Sequence, residues 1–323
     1  MEKCFEMELR WDPILSEWII VSGERRKRPL LPQNFCPFCP SSEEVPRKKW
    51  RTLSLPNRFP ALREDPPLPD VKPDRLYRCK PAKGVCEVIV YTPRHDASLA
   101  DLTVEEIKSV IDLWSERFKE LGRRDYIKYV FIFENKGRII GVTLDHPHGQ
   151  IYAFPFIPPL IKRELASSRR YWKRNRKCLF CKIIEKEKED SLRIICENEG
   201  FICFLPFFAR WPYGVHIYPK RHVEAIIDLS EDEVFMFASI LKRVLKKFDN
   251  LFDMSFPYMM VLHQRPTDGK DYPYYHFHVE FYTPYREKGK VKYFASVEMG
   301  AGTVTFDYSP ELKARELREA PET

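Results

Sequence analysis

From Thr103 to Gly122 apolar residues return every three or four positions: Ile107, Val110, Ile111, Trp114, Phe118 and Leu121 make one stripe among charged neighbours. That period predicts an amphipathic helix laid on a core. Thr103 followed by Glu106 is a capping box that starts it, and Gly122 stops it. A second helix reads the same way, from Ser230 and Glu233 through Val234, Phe237, Ile240, Leu241 and Val244. Around each helix lie short runs rich in β-branched and aromatic residues: EWIIVSG, CEVIVYTP, YIKYVFIFEN and GQIYAFPF first, then FICFLPFF, GVHIYP, PYMMVLHQ and YYHFHVEFY. These predict strands. One helix among several short strands, without regular strand–helix alternation, predicts an α+β fold of antiparallel sheets with helices packed on them.

The elements come in two sets. The first half carries CPFC (36–39), YTPRHDASLADLTVEEI (91–107) and HPHGQIY (146–152); the second carries CLFC (178–181), YPKRHVEAIIDLSEDEV (218–234) and HFHVEFY (276–282). In both, a histidine precedes an aspartate by six residues, His95 to Asp101 and His222 to Asp228. Three ordered elements repeated once predict a tandem duplication of a single unit, residues 1–160 and 161–323. The proline-rich stretch 56–73 predicts a long ordered arm, because proline excludes a central strand. The basic run 162–177 joins the halves and reads as a solvated helix face, with nucleic-acid contact the minority reading.

Composition excludes more than it selects. No run of about eighteen apolar residues exists, so no membrane span is expected, and the N-terminus shows no basic-then-apolar leader, so a cytoplasmic place is expected. A formal charge of +7 suits phosphate-bearing small molecules and nucleic acid alike. Nine cysteines without a secretory leader argue against a disulfide framework.

Chemistry is concentrated in the histidines. Of eight, six lie in the repeated motifs; His216, outside them, reads as an ordinary core or surface residue. Cys36, Cys39, His95 and His146 make a four-ligand set whose thiolate and imidazole donors suit a closed structural Zn²⁺ site; buried or redox-active thiols are the alternative. Such a site ties the N-terminal arm to the strand of His148. By the repeat, Cys178, Cys181, His222 and His276 form a second set. With His146 occupied, His148 is left as a candidate nucleophile, phosphorus being the electrophile suggested by Gly137 and Gly141 and by the amide of Gln150.

The stretch FENKG followed by HPHGQ resembles the active-site signature of the galactose-1-phosphate uridylyltransferase family, within the histidine-triad superfamily. WDPILSEWIIVSGERRKRP (11–29), ARWPYG (209–214) and NLFDMSFPYMM (250–260) extend the resemblance over nearly the whole chain. The resemblance implies reversible ping-pong transfer of UMP from UDP-glucose to galactose 1-phosphate through a uridylyl-histidine at His148, assisted by Gln150. It implies that Arg25, Arg28, Asn135, Gly141, Val142 and Thr143 hold the nucleotide, that Lys292 and Glu298 meet the sugar phosphate, and that the protein is a homodimer whose sites draw on the partner. It also implies a second metal, iron or zinc, on Glu164, His263, His276 and His278, a set that competes with the repeat-based one for His276. Glu280, at the place of Gln150, would repel phosphate, so one catalytic centre per chain is expected. The rival enzyme is a nucleotidyl-sugar or dinucleoside polyphosphate phosphorylase or adenylyltransferase of the same superfamily; the rival outside catalysis is a zinc-stabilised nucleic-acid-binding protein.

Overall fold

The computed structural model describes residues 7–27 and 35–322. Its strands are β1 (Met7–Asp12), β2 (Glu17–Ser22), β3 (Leu53–Pro56), β4 (Cys79–Pro81), β5 (Val85–Val90), β6 (Tyr129–Lys136) and β7 (His148–Phe154), then β8 (Ile194–Glu197), β9 (Phe201–Phe204), β10 (His216–Pro219), β11 (Tyr258–His263) and β12 (His278–Tyr282). The main helices are α1 (Val104–Gly122), α2 (Pro159–Asn175), α3 (Leu179–Asp190) and α4 (Glu231–Leu251). β1, β2 and β4 form a small separate sheet; the other nine strands form one antiparallel sheet in the order β3-β5-β7-β6-β11-β12-β10-β9-β8.

That order is a mirror about its middle. Outward from the β6–β11 pair, the first half runs β7, β5, β3 and the second runs β12, β10, β9. The two copies are thus joined edge to edge, with Ile132 opposite Leu262 and Lys136 opposite Tyr258. Joining them there leaves neither copy with an open central edge, which would otherwise present a row of unpaired backbone groups.

α1 and α4 lie together on one face. They cover Ile89, Val130, Ile132 and Ile151 from the first copy and Ile217, Met260, Leu262 and Val279 from the second in one continuous core. Both predicted capping boxes form: the Thr103 hydroxyl accepts from Glu106 N–H at 3.2 Å while the Glu106 carboxylate accepts from Thr103 N–H at 2.8 Å. Ser230 and Glu233 repeat these bonds at the same distances. The repeated aspartates cap short turns before each helix, Asp101 accepting from Ser98 N–H and Asp228 from Ala225 N–H, both at 2.9 Å.

α2 and α3 pack on the opposite face, where Leu165, Phe180 and Ile184 meet Phe204, Tyr218 and Tyr275. α2 carries most of the basic run 162–177. Ile161, Leu165 and Ser168 are its buried positions, and Lys162, Arg163, Arg169, Arg170, Lys173 and Arg174 all stay exposed, so the run has the solvated helix face expected of it. Among the described residues no helix is long and apolar enough to cross a membrane.

Candidate active site and metal groups

Strand alternation sets the catalytic candidates. In β7 the odd members of the strand, His148, Gln150, Tyr152 and Phe154, are half-buried, whereas Gly149, Ile151 and Ala153 are buried against the helices. His148 and Gln150 therefore share the open face. Pro147, just before the strand, keeps its carbonyl for the Tyr91 N–H at 3.1 Å.

A cavity of about 630 Å³ opens at His148, lined by Arg25, Phe38, Asn57, Thr143 and Gln150 among others. A second of about 300 Å³ reaches the same imidazole from the side of Asn135, Gly137 and Val142. Together they have the size of a small-molecule site. The Arg25 guanidinium donates to the Tyr152 hydroxyl at 2.8 Å. The Asn57 amide donates to Gln150 Oε1 at 3.4 Å, which assigns the Gln150 amide so that its NH₂ group is the end left for a ligand oxygen. Gly137 and Gly141 bracket a short turn at φ +98° and +84°, a left-handed geometry that glycine adopts without strain.

The two neighbouring imidazoles are separated by their hydrogen bonds. His146 donates Nε2–H to the Thr92 carbonyl at 2.7 Å and turns Nδ1 to the sulfurs of Cys36 and Cys39, at 3.6 and 3.7 Å. His148 does the reverse, donating Nδ1–H to the His146 carbonyl at 2.8 Å. That tautomer puts the lone pair of His148 on Nε2.

Cys36, Cys39, His95 and His146 have donor atoms all within 4.8 Å of one another, and His95 Nδ1 is 3.3 Å from Cys39 Sγ. A tetrahedral zinc ion with ordinary Zn–S and Zn–N bonds spaces sulfur and nitrogen ligands roughly 3.6 Å apart, so the group fits one. Burial lowers the His146 pKa and raises the Cys39 thiol to about 11, the nearby Cys36 adding to the rise; a divalent cation favours both the neutral imidazole and the thiolates.

Cys178, Cys181, His222 and His276 repeat this arrangement within the same 4.8 Å limit. Cys181 Sγ lies 3.6 Å from His222 Nδ1 and 3.5 Å from His276 Nδ1. His276 donates Nε2–H to the Pro219 carbonyl at 3.0 Å, as His146 does to Thr92. A hydrogen bond from Cys181, then the two imidazoles, pull the Cys178 thiol down against burial.

The competition for His276 has a geometric answer. The fold does not gather Glu164, His263, His276 and His278; His276 faces the cysteines, and Glu280 completes a third group with Glu164, His263 and His278. His263 Nδ1 is 3.1 Å from Glu164, and His278 Nε2 is 3.4 Å from Glu280. Burial opposes charge on His263, yet Glu164 and Glu280 raise it to about 9. His216, read as an ordinary residue, is buried beside this group, 3.6 Å from Glu280 and 3.2 Å from the Tyr218 hydroxyl. Burial pushes it down to about 4.

Other expected residues are placed apart. Lys292 and Glu298 stand 3.8 Å from each other, and neither lines the cavities at His148. Arg28 lies outside the described residues. The sequence reading missed Asn57, Phe38 and Tyr152 in the larger cavity. Tyr152 shares the period-two face of Gln150 and was accessible to pattern; Asn57, in the proline-rich arm, had no signal.

The chain matches two family descriptions end to end: "Galactose-1-phosphate uridyl transferase, N-terminal domain" over residues 2–158 and the corresponding C-terminal domain over residues 164–322. It is 43% identical over 315 residues to the galactose-1-phosphate uridylyltransferase of Thermotoga maritima, covering 97% of this chain and 98% of that one. A solved structure titled "Structure of uridylyltransferase" superposes with a TM-score of 0.89 at 39% identity, over 97% of each chain. An ADP-glucose phosphorylase from Arabidopsis thaliana shares the fold at a TM-score of 0.76 and 24% identity, over 98% of this chain and 99% of that one.

Proposed function

The chain belongs to the galactose-1-phosphate uridyl transferase family and is a nucleotidyltransferase, and from that premise we propose that it moves the uridylyl group in two half-reactions through His148. Nε2 of His148 bonds to the α-phosphorus of UDP-glucose, and the bond from phosphorus to the oxygen of glucose 1-phosphate breaks. The sugar phosphate leaves as a stable anion, so no strong general acid is needed. In the second half a phosphate oxygen of galactose 1-phosphate bonds to the same phosphorus, the P–N bond breaks, and UDP-galactose forms. The observation that carries this reading is the hydrogen bond from Nδ1–H of His148 to the His146 carbonyl. It leaves Nε2 as the nucleophilic nitrogen, and the carbonyl dipole favours the positive charge that the ring acquires when Nε2 is bonded.

Gln150 supports the same reading from the next position on this face. Its NH₂ group is oriented by Asn57 to donate to a non-bridging phosphate oxygen. Gln150→Ala is expected to slow uridylyl transfer about 10²–10³-fold with the zinc content unchanged. Metal loss together with activity would assign Gln150 to the structure instead. Arg25, Asn135, Gly141, Val142 and Thr143 hold the nucleotide in this scheme, and Arg28, outside the described residues, belongs to it by resemblance.

Both Cys₂His₂ groups are proposed to hold structural Zn²⁺, on the strength of their donor spacing. The carboxylate–imidazole group suits iron or zinc; it takes the place of a second catalytic centre, since Glu280 stands where Gln150 stands in the first copy. We assign Lys292 and Glu298 to the sugar phosphate in the site of a partner subunit. Their remoteness from His148 within one chain and the exposure of Tyr293 and Met299 beside them, 78% and 74%, both favour a homodimer. A cytoplasmic place fits the sugar-nucleotide chemistry.

A further inference from the structure

Behind the catalytic strand, on the helix side of the sheet, lies a buried carboxyl that the transfer does not use. Glu134 of β6 is 4% exposed. Its Oε1 accepts the Tyr258 hydroxyl at 3.1 Å, while Oε2 and the hydroxyl of Tyr91 are both buried without a closed hydrogen bond. The two groups are nonetheless neighbours: each contributes to the electrostatics of the other.

Tyr91 touches the catalytic segment twice. Its N–H donates to the Pro147 carbonyl at 3.1 Å. Its hydroxyl fills the space where Gly149 has no side chain, since a Cβ there would fall 2.2 Å from it. Trp114 of α1 packs edge-on to the Tyr91 ring at 5.9 Å, so the ring cannot retreat. Here the lack of a Cβ at Gly149 serves close approach rather than a special backbone angle.

We propose that Glu134 and Tyr91 form a buried strut that positions the main chain of 147–149, and with it the imidazole of His148; both are positioning residues for the uridylyl transfer. The inference rests on His148 being the nucleophile. Tyr91 acts on Glu134 alongside Tyr258; its hydroxyl can accept from the acid form or donate to the carboxylate, so the strut closes in either protonation state. Burial pushes Glu134 up to about 7, against the pull of Lys136, Tyr258 and Tyr91 and with a small addition from Asp249 of α4. Lys136, whose charge acts on the carboxyl, is itself engaged by Asp249 at 2.9 Å.

The test is single-turnover uridylylation of the zinc-loaded, full-length protein by UDP-glucose labelled at the α-phosphate, with UDP-glucose affinity measured alongside. Tyr91→Phe keeps the packing and removes the hydroxyl; Glu134→Leu removes the polar partner. Each is expected to slow labelling about tenfold, with the dissociation constant of UDP-glucose within twofold of the parent and unchanged zinc. Glu134→Gln retains a donor that does not titrate. It is expected to keep most of the parent rate, because an amide offers Tyr91 both a donor and an acceptor. Thermal midpoints taken on every variant separate misfolding from slow chemistry, and Tyr91→Phe in a Gly149→Ala background should recover part of what the alanine costs. Parent-like labelling by folded Tyr91→Phe or folded Glu134→Leu overturns the strut while leaving the nucleophile intact. Absence of label on His148 in the parent overturns the nucleophile, and the strut with it.

Discussion

Replacing His148 with asparagine is expected to leave a folded protein that binds UDP-glucose and takes up no uridylyl label, with transfer reduced about 10⁴-fold or more. The size of the effect follows from the scheme: without Nε2 there is no covalent route, and only binding and positioning remain. Asparagine is close to the imidazole in reach, so Phe38, whose ring centre lies 5.3 Å from that of His148, keeps a neighbour and the cavity does not collapse. Acid-labile label that persists on the asparagine variant would place the nucleophile elsewhere. His146 is the obvious substitute, and its two nitrogens are already committed to Thr92 and the cysteines.

The second large effect concerns the second-half thiolates. Cys178→Ala is expected to lose one zinc ion per chain and about 4 kcal/mol of stability, because a bound structural metal is folding free energy. For a unit of this size that is a fall of roughly 8–16 °C in Tm. Cys178 caps the start of α3, and Phe180 in that helix packs 4.9 Å from His278. Losing the ion should therefore loosen α3 from the sheet more than it disturbs His148, so residual transfer at moderate temperature is expected to exceed what Cys36→Ala retains. Full metal content in Cys178→Ala would sink the second zinc assignment and return His276 to the set with Glu164, His263 and His278.

The regular elements and the duplication were legible because they rest on local signals. Both long helices announce themselves by a 3.6-residue stripe and a capping box, and the structure contains the same stripes as buried faces. The Cys-x-x-Cys pairs and their downstream histidines repeat in order, so both Cys₂His₂ groups could be written down from spacing. α3 was not foreseen. Its sequence, LFCKIIEKEKED, is short and mostly charged, and the half that packs is fixed by the cysteines at its start.

What the chain determined alone was periodicity, order and inventory: which segments are helix or strand, which residue types sit together, and which motifs recur. These depend on neighbours within a few positions, and backbone geometry converts them into faces. The tertiary structure alone decided that the two copies share one sheet through β6 and β11, that His276 faces sulfur rather than carboxylate, that Glu280 joins Glu164 across some hundred residues of chain, and that Tyr91 stands behind Gly149. Each of these is a contact between segments far apart in sequence, chosen by hydrogen-bond register and by which face of a strand is buried. No local pattern carries that choice.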